Sequence, residues 1–279
     1  MGKLLAGNAP LRGRAGLELV VRTLDHRLAA RFWEITDPHL ALRVNAIVGG
    51  TPAYRKEFAR GDSPSGPEDF DDWVVRTVLS PESPLFREAR YLLAEEPDLR
   101  DTTLYHSVLA AVAEGNATRS GMAGYLERKA ADIAHPINVL EDAGLLHRDA
   151  DVFRDWASHH ADPDLLGGLP ARVGHGVVND AARRTGHEVD VAVAGIGDGR
   201  KAPLLLIGEA KWNDVMGMGH LDRLRHVRSL IARGDRYDTA PTRLACFSGA
   251  GFTDELRALA ARSDSDVLLV DLAELYGEP

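Results

Sequence analysis

The chain is poor in several things, and each absence excludes something. It has one cysteine, Cys246. No internal disulfide is therefore open to it, and the apolar strand pattern around Cys246 fits an inert thiol better than a reactive one. No run of about 18 apolar residues exists to form a membrane-spanning helix. The start, MGKLLAGNAPLRGR, lacks the apolar stretch of a secretory signal, so a cytoplasmic protein with no membrane partner is expected. The pattern G-x-x-x-x-G-K-[ST] is missing, and with it the loop that cradles nucleotide phosphates. A basic excess is missing too. The formal net charge is −9, with the acid excess spread evenly along the chain, which excludes a globally cationic nucleic-acid footprint. His159, His160 and His175 follow no common zinc spacing. Ser248, in CFSGAG, does not sit in a G-x-S-x-G elbow.

What the chain does have is a pair of segments, GHEVDVAVAG and APLLLIGEAKW. The first places Asp190 in an apolar strand pattern. The second places Glu209 and Lys211 at the end of another. Residues two apart on a strand share a face, so Glu209 projects with Lys211, and Glu188 with Asp190. Leu204 to Ile207 reads as a strand buried on both faces. Residues 195–203, GIGDGRKAP, have hairpin-loop chemistry. That hairpin lays strand 187–194 against strand 203–211 and brings Asp190 close to Glu209. Two carboxylates at one place repel unless a cation lies between them, and Mg²⁺ or Mn²⁺ suits such an oxygen pair. The order Asp, eighteen residues, Glu-x-Lys is the arrangement of PD-(D/E)xK nucleases. The opposite reading is an ordinary ion pair at a strand end.

The segments that follow continue an α/β pattern. Residues 218–233 put Leu221, Leu224, Val227, Leu230 and Ile231 on one helical face. Residues 242–248 read as a strand, 252–262 as a helix capped by Thr253, and 266–272 as a last strand. The expected order is β-β-α-β-α-β. Arg223, Arg225 and Arg228 on the first of these helices are candidate phosphate contacts, against a plain solvated face. Toward the N-terminus, residues 27–37, 68–79 and 83–96 read as helices, with Gly49, Gly50 and Pro52 marking a turn. Residues 104–115, a helix capped by Thr118, and residues 131–146 make three further helices. LLHRDADVF then reads as the first strand of a wing. Three helices and a wing form a winged helix-turn-helix pattern, in which Arg119, Arg128 and Lys129 are candidate DNA contacts. Packing against protein is the alternative use of such a unit.

Taken together, these motifs resemble the C-terminal half of an AAA+ ATPase family found in archaea and bacteria. NAPLRGR looks like its exit from the ATPase core, VGGTPAYRKEF like its lid, LYHSVLAAVAEGNATRSGMAGYL like its winged helix, and GHEVDVAV with LLIGEAKW like its nuclease signatures. The resemblance implies three parts: a helical lid-like segment over 1–99, a winged helix over 100–153 with a truncated wing, and a PD-(D/E)xK nuclease-like α/β domain over 154–279. It implies Asp190 and Glu209 as metal ligands, Lys211 as the catalytic lysine and Trp212 as a packing residue. DNA is the implied partner, with a separate ATPase core or another protein as a second one.

Two departures from that pattern stand out. The P-loop is missing, so ATP hydrolysis by this chain alone is not expected. The join at ADVFRDWASHHADPDLL is short, and the family's opening nuclease helix carries a glutamate where no Glu lies between Glu141 and Glu188. A lost helix would leave apolar sheet surface uncovered. Two functions therefore compete: a Mg²⁺-dependent DNA nuclease, and a nuclease-like fragment that binds DNA or protein and cuts nothing.

Overall fold

The computed structural model describes residues 23–88, 102–142, 145–146, 150–197 and 201–277. It shows a mixed α/β protein: a helical N-terminal region, then a six-stranded mixed sheet with helices on both faces.

The helical region begins with α1 (His26–Trp33), capped by Asp25, whose carboxylate accepts from the Leu28 amide. Glu34 ends it in the left-handed region, so the helix expected over 27–37 stops early. Pro38 then opens α2 (Pro38–Val48), with Asp37 as its cap. Gly49 closes α2 at φ 58°, as the expected turn requires. Helical turns follow over 54–58 and 67–79. Trp33, Val44, Phe70 and Trp73 fill the small core between them. The helix expected over 83–96 is seen at 84–88, and its remainder lies outside the described residues.

Next come α3 (Thr102–Ala113), α4 (Arg119–Tyr125) and α5 (Ala134–Asp142). Thr118 caps α4 as expected, accepting from the Gly121 amide. Tyr105, Val108, Ile133, Ile137 and Leu140 make a core of their own. The wing strand expected from LLHRDADVF is corrected in its last part, while His147 to Asp149 lie outside the described residues. Asp151 to Phe153 instead open a helix, α6 (Asp151–His159). The cause is the spacing of Phe153, Trp156 and Ala157, which places three apolar groups on one helical face. An opening helix is therefore present before the sheet.

The sheet holds β1 (Pro170–Asp180), β2 (Thr185–Gly195), β3 (Ala202–Lys211), β4 (Tyr237–Asp238), β5 (Arg243–Ser248) and β6 (Val267–Val270). Its order is β1-β2-β3-β5-β6, with β4 pairing the start of β3. β1, β2 and β3 form an antiparallel meander, while β5 and β6 run parallel to β3 and to each other. β1 and β4 are additions to the expected order. Helix α7 (Met218–Ala232) makes the crossover from β3 toward β5, α8 (Asp254–Ala260) precedes β6, and α9 (Leu272–Tyr276) follows it.

Both faces of β3 are covered, as its run of four apolar residues demands. On one side Phe153 and Trp156 of α6 pack with Val191, Val193, Leu205, Phe247 and Leu275. On the other, Leu221, Leu224 and Val227 of α7 pack with Ile207, Leu244 and Cys246. Burying each large apolar side chain contributes about 1.5–3 kcal/mol. The apolar face at risk from a missing helix is thus covered by α6. The helical region docks on this body through α9. His26 and Arg27 both donate to the Leu275 carbonyl, at 3.0 and 2.8 Å, and Tyr276 packs against both cores.

Candidate functional site

The β2–β3 register pairs Val191 with Gly208, so the next residues out, Asp190 and Glu209, are neighbours. The Asp190 carboxylate accepts from the Ala210 amide at 2.8 Å across the same pair of strands. Burial raises its pKa above the ordinary value; the Ala210 amide and then Lys211 oppose the rise, while Glu188 and Glu209 add to it. The main chain of Asp190 is held from the other face, where Arg154 of α6 donates to its carbonyl at 2.8 Å and also pairs with Asp151. The opening helix thus reaches the site through an arginine instead of a glutamate.

Glu209 is 4% exposed. One of its oxygens, Oε1, lies 3.0 Å from Lys211 Nζ, and Oε2 lies 2.6 Å from Arg223 Nη1. The second contact is an ion pair without hydrogen-bond alignment, so Oε2 accepts no hydrogen bond among the described residues. Arg223 is steadied by a 2.7 Å hydrogen bond from Nη2 to the Glu188 carbonyl. Gly208 lets this strand end lie close to β5, because a Cβ there would collide with the Phe247 ring. Cys246 pairs with Glu209 in register. Its buried thiol is pushed up to about 12, first by burial and then by the Glu209 charge, so it is no nucleophile at neutral pH. Trp212 packs at the rim of the core, over Gly249.

The structure therefore brings Asp190, Glu209 and Lys211 together at one end of β2 and β3. Asp190 and Glu209 are the carboxylates that would hold a hard divalent cation such as Mg²⁺ or Mn²⁺, although both Glu209 oxygens already face cationic nitrogens of the chain. It does not bring the nucleic-acid candidates together. Arg223 is engaged with Glu209, Arg225 with Asp222 at 3.0 Å, and Arg228 with Asp266 at 2.5 Å and the Thr242 carbonyl at 2.8 Å. Arg119, Arg128 and Lys129 are exposed on and just after α4.

Among the described residues two further groups meet that the sequence reading does not assemble, although it weighs His160 with His159 and His175 for zinc and sets that aside on spacing. Asp180, His187 and His226 meet at the β1–β2 turn, and His26, Asp155 and His160 meet where α1 docks on α6. In each set two residues are near in the chain and the third, His226 or His26, is distant, so no spacing signal marks the whole group. No family model, curated protein or solved structure matches this chain.

Proposed function

We propose that the chain is a nuclease-like phosphodiesterase unit of the PD-(D/E)xK kind, joined to a winged-helix unit (α3–α5) and a lid-like helical region, and acting on DNA. The observation that carries this reading is the adjacency of Asp190 and Glu209 with Lys211 one strand repeat away. The element order supports it: an opening helix, an antiparallel meander, a crossover helix and a parallel strand.

Asp190 and Glu209 would hold a Mg²⁺ or Mn²⁺ ion, which when bound supplies charge stabilisation at a phosphate and a more acidic water. The chain's own part is positional. Desolvation keeps Asp190 reluctant to carry its charge until a cation compensates it. Lys211 stands beside Glu209 and would orient the attacking water by hydrogen bonding. Arg154 fixes the Asp190 backbone, so the carboxylate is aimed by a rigid strand.

One observation favours the second reading, a fragment that binds DNA or a partner protein without cutting. Arg223 already supplies positive charge to Glu209, and a metal would have to displace it. Incubating the chain with supercoiled and linear DNA in Mg²⁺ and in Mn²⁺, beside Glu209→Ala, separates the two. Cleavage by the wild type and not by the variant is expected. A folded wild type that binds DNA but leaves it intact under both metals would select the second reading.

A further inference from the structure

The densest unassigned chemistry lies at the junction of α1 with α6. His26 is almost fully buried, with 2% of its side chain exposed. Its Nε2 lies 3.0 Å from the Leu275 carbonyl. A carbonyl only accepts, so Nε2 carries the proton, and in the neutral ring Nδ1 presents a bare lone pair. That Nδ1 is buried and has no hydrogen-bond partner among the described residues. It faces Asp155 Oδ2 at 3.6 Å. Two electron-rich atoms at that distance, one on a buried ring and the other on a carboxylate 35% exposed, call for positive charge between them.

His160 closes the third side. Ligand atoms of His26, Asp155 and His160 all lie within 4.8 Å of one another. His160 Nε2 is likewise buried without a hydrogen-bond partner among the described residues, although Asp25 Oδ2 lies 3.2 Å away. Burial first, and then the Arg27 charge, hold the His160 pKa below its ordinary value. That favours the neutral ring, the form in which imidazole binds metals.

We propose that His26 Nδ1, His160 and Asp155 form a binding site for a divalent transition-metal ion of the zinc class, separate from the Asp190–Glu209 pair. Two imidazoles and one carboxylate are a zinc-type donor set and leave a fourth position open. Bonds of about 2.0–2.1 Å place tetrahedral donors roughly 3.3 Å apart, close to the 3.6 Å seen between His26 and Asp155. The Leu275 carbonyl, accepting from His26 Nε2, is the outer partner that fixes a ligating imidazole in one tautomer. Asp25, which also caps α1, brings a further carboxylate to 3.2 Å from His160 Nε2. The three ligands come from α1, α6 and the residue after α6, so the ion would staple the helical region to the sheet. The Asp180–His187–His226 group is different. His226 already hydrogen-bonds Asp180 at 2.8 Å, and Asp180 accepts two backbone amides.

The test is a Co²⁺ titration of the chelator-stripped full chain, followed in the visible ligand-field bands and reversed with Zn²⁺. Wild type, Asp155→Asn and His160→Ala are compared, with His226→Ala and Glu209→Gln as controls. One tightly held Co²⁺ per chain with intense tetrahedral bands is expected in the wild type and both controls. Affinity should fall about 100-fold or more in Asp155→Asn and His160→Ala. Asp155→Asn keeps the side-chain shape, so a folding failure of His160→Ala leaves the question answerable. A wild type without these bands would mean that a proton, not a metal, sits between His26 and Asp155. Retained binding in Asp155→Asn, or a loss that follows His226→Ala, would equally overturn the assignment.

Discussion

Glu209 and Asp155 are both carboxylates answered by nitrogen groups, and the nitrogens differ in kind. At Glu209 they are an ammonium and a guanidinium, Lys211 and Arg223. At Asp155 they are imidazoles, with His26 at 3.6 Å and His159 at 3.0 Å. A guanidinium keeps its charge at every pH a protein survives. An imidazole supplies charge only when protonated, and otherwise offers a lone pair. The first cluster is thus neutralised by the chain itself. The second needs something added, whether a proton or a metal ion.

The largest test strikes the helix that serves both clusters. Trp156 is fully buried on α6, next to Asp155 and two residues from Arg154. Trp156→Ala should cost about 3–5 kcal/mol in denaturant unfolding and loosen both sites together. A loss below about 1 kcal/mol would show that α6 is not their common support. Arg223→Ala should act on one cluster only. Its cost should be about 1–3 kcal/mol, held down because Arg223 is 32% exposed. If the guanidinium and a metal compete for Glu209, Mn²⁺ should raise the melting temperature of this variant more than that of the wild type; equal shifts would argue against competition.

The smallest effect is a pH window, and it belongs to the imidazole cluster. His160 is held below its ordinary value of 6.5. The unfolded chain therefore takes up a proton there before the folded chain does, and stability falls as pH drops below about 6.5. With a proton on His26 Nδ1 in place of a metal, Asp155 is held below 3.8, chiefly by His26; its contribution is present above that value and is lost as pH falls through the depressed one. Metal-free wild type should lose stability in the first window, and His160→Gln should not. Parallel pH profiles for the two would remove His160 as the cause.

The parts of the fold that were legible in the sequence share a physical character: each is set by neighbours along the chain. The β2–β3 pairing followed from two apolar runs around a glycine-rich loop. The buried face of α7 followed from Leu221, Leu224 and Val227, and the caps at Thr118 and Thr253 are read locally. β1 escaped because PARVGHGVVND is broken by Gly174 and Gly176, where its pairing with β2 shifts register. α6 was misread because residues 145–153 were joined into one strand, although Phe153, Trp156 and Ala157 carry the helical period. At the candidate site, Asp190, Glu209 and Lys211 were singled out by spacing, and their adjacency in the sheet follows from it. Arg223 was noticed for its charge and given to phosphate, while the structure gives it to Glu209. The His26–Asp155–His160 meeting depends on docking across 134 residues of chain, and no local pattern encodes it.

That docking also bears on the order of assembly. His26 and Arg27 reach Leu275 across sequence separations of 249 and 248. Loop-closure entropy grows only about 0.6 kcal/mol per doubling of length, so the clasp is cheap at equilibrium. Its toll falls on speed, since contacts distant in sequence wait on a slow conformational search. The β1–β2–β3 meander joins near neighbours and should gain protection from hydrogen exchange early in refolding. The Leu275 clasp should gain it late. The amides of α1 should then also be among the first to exchange when the native protein opens.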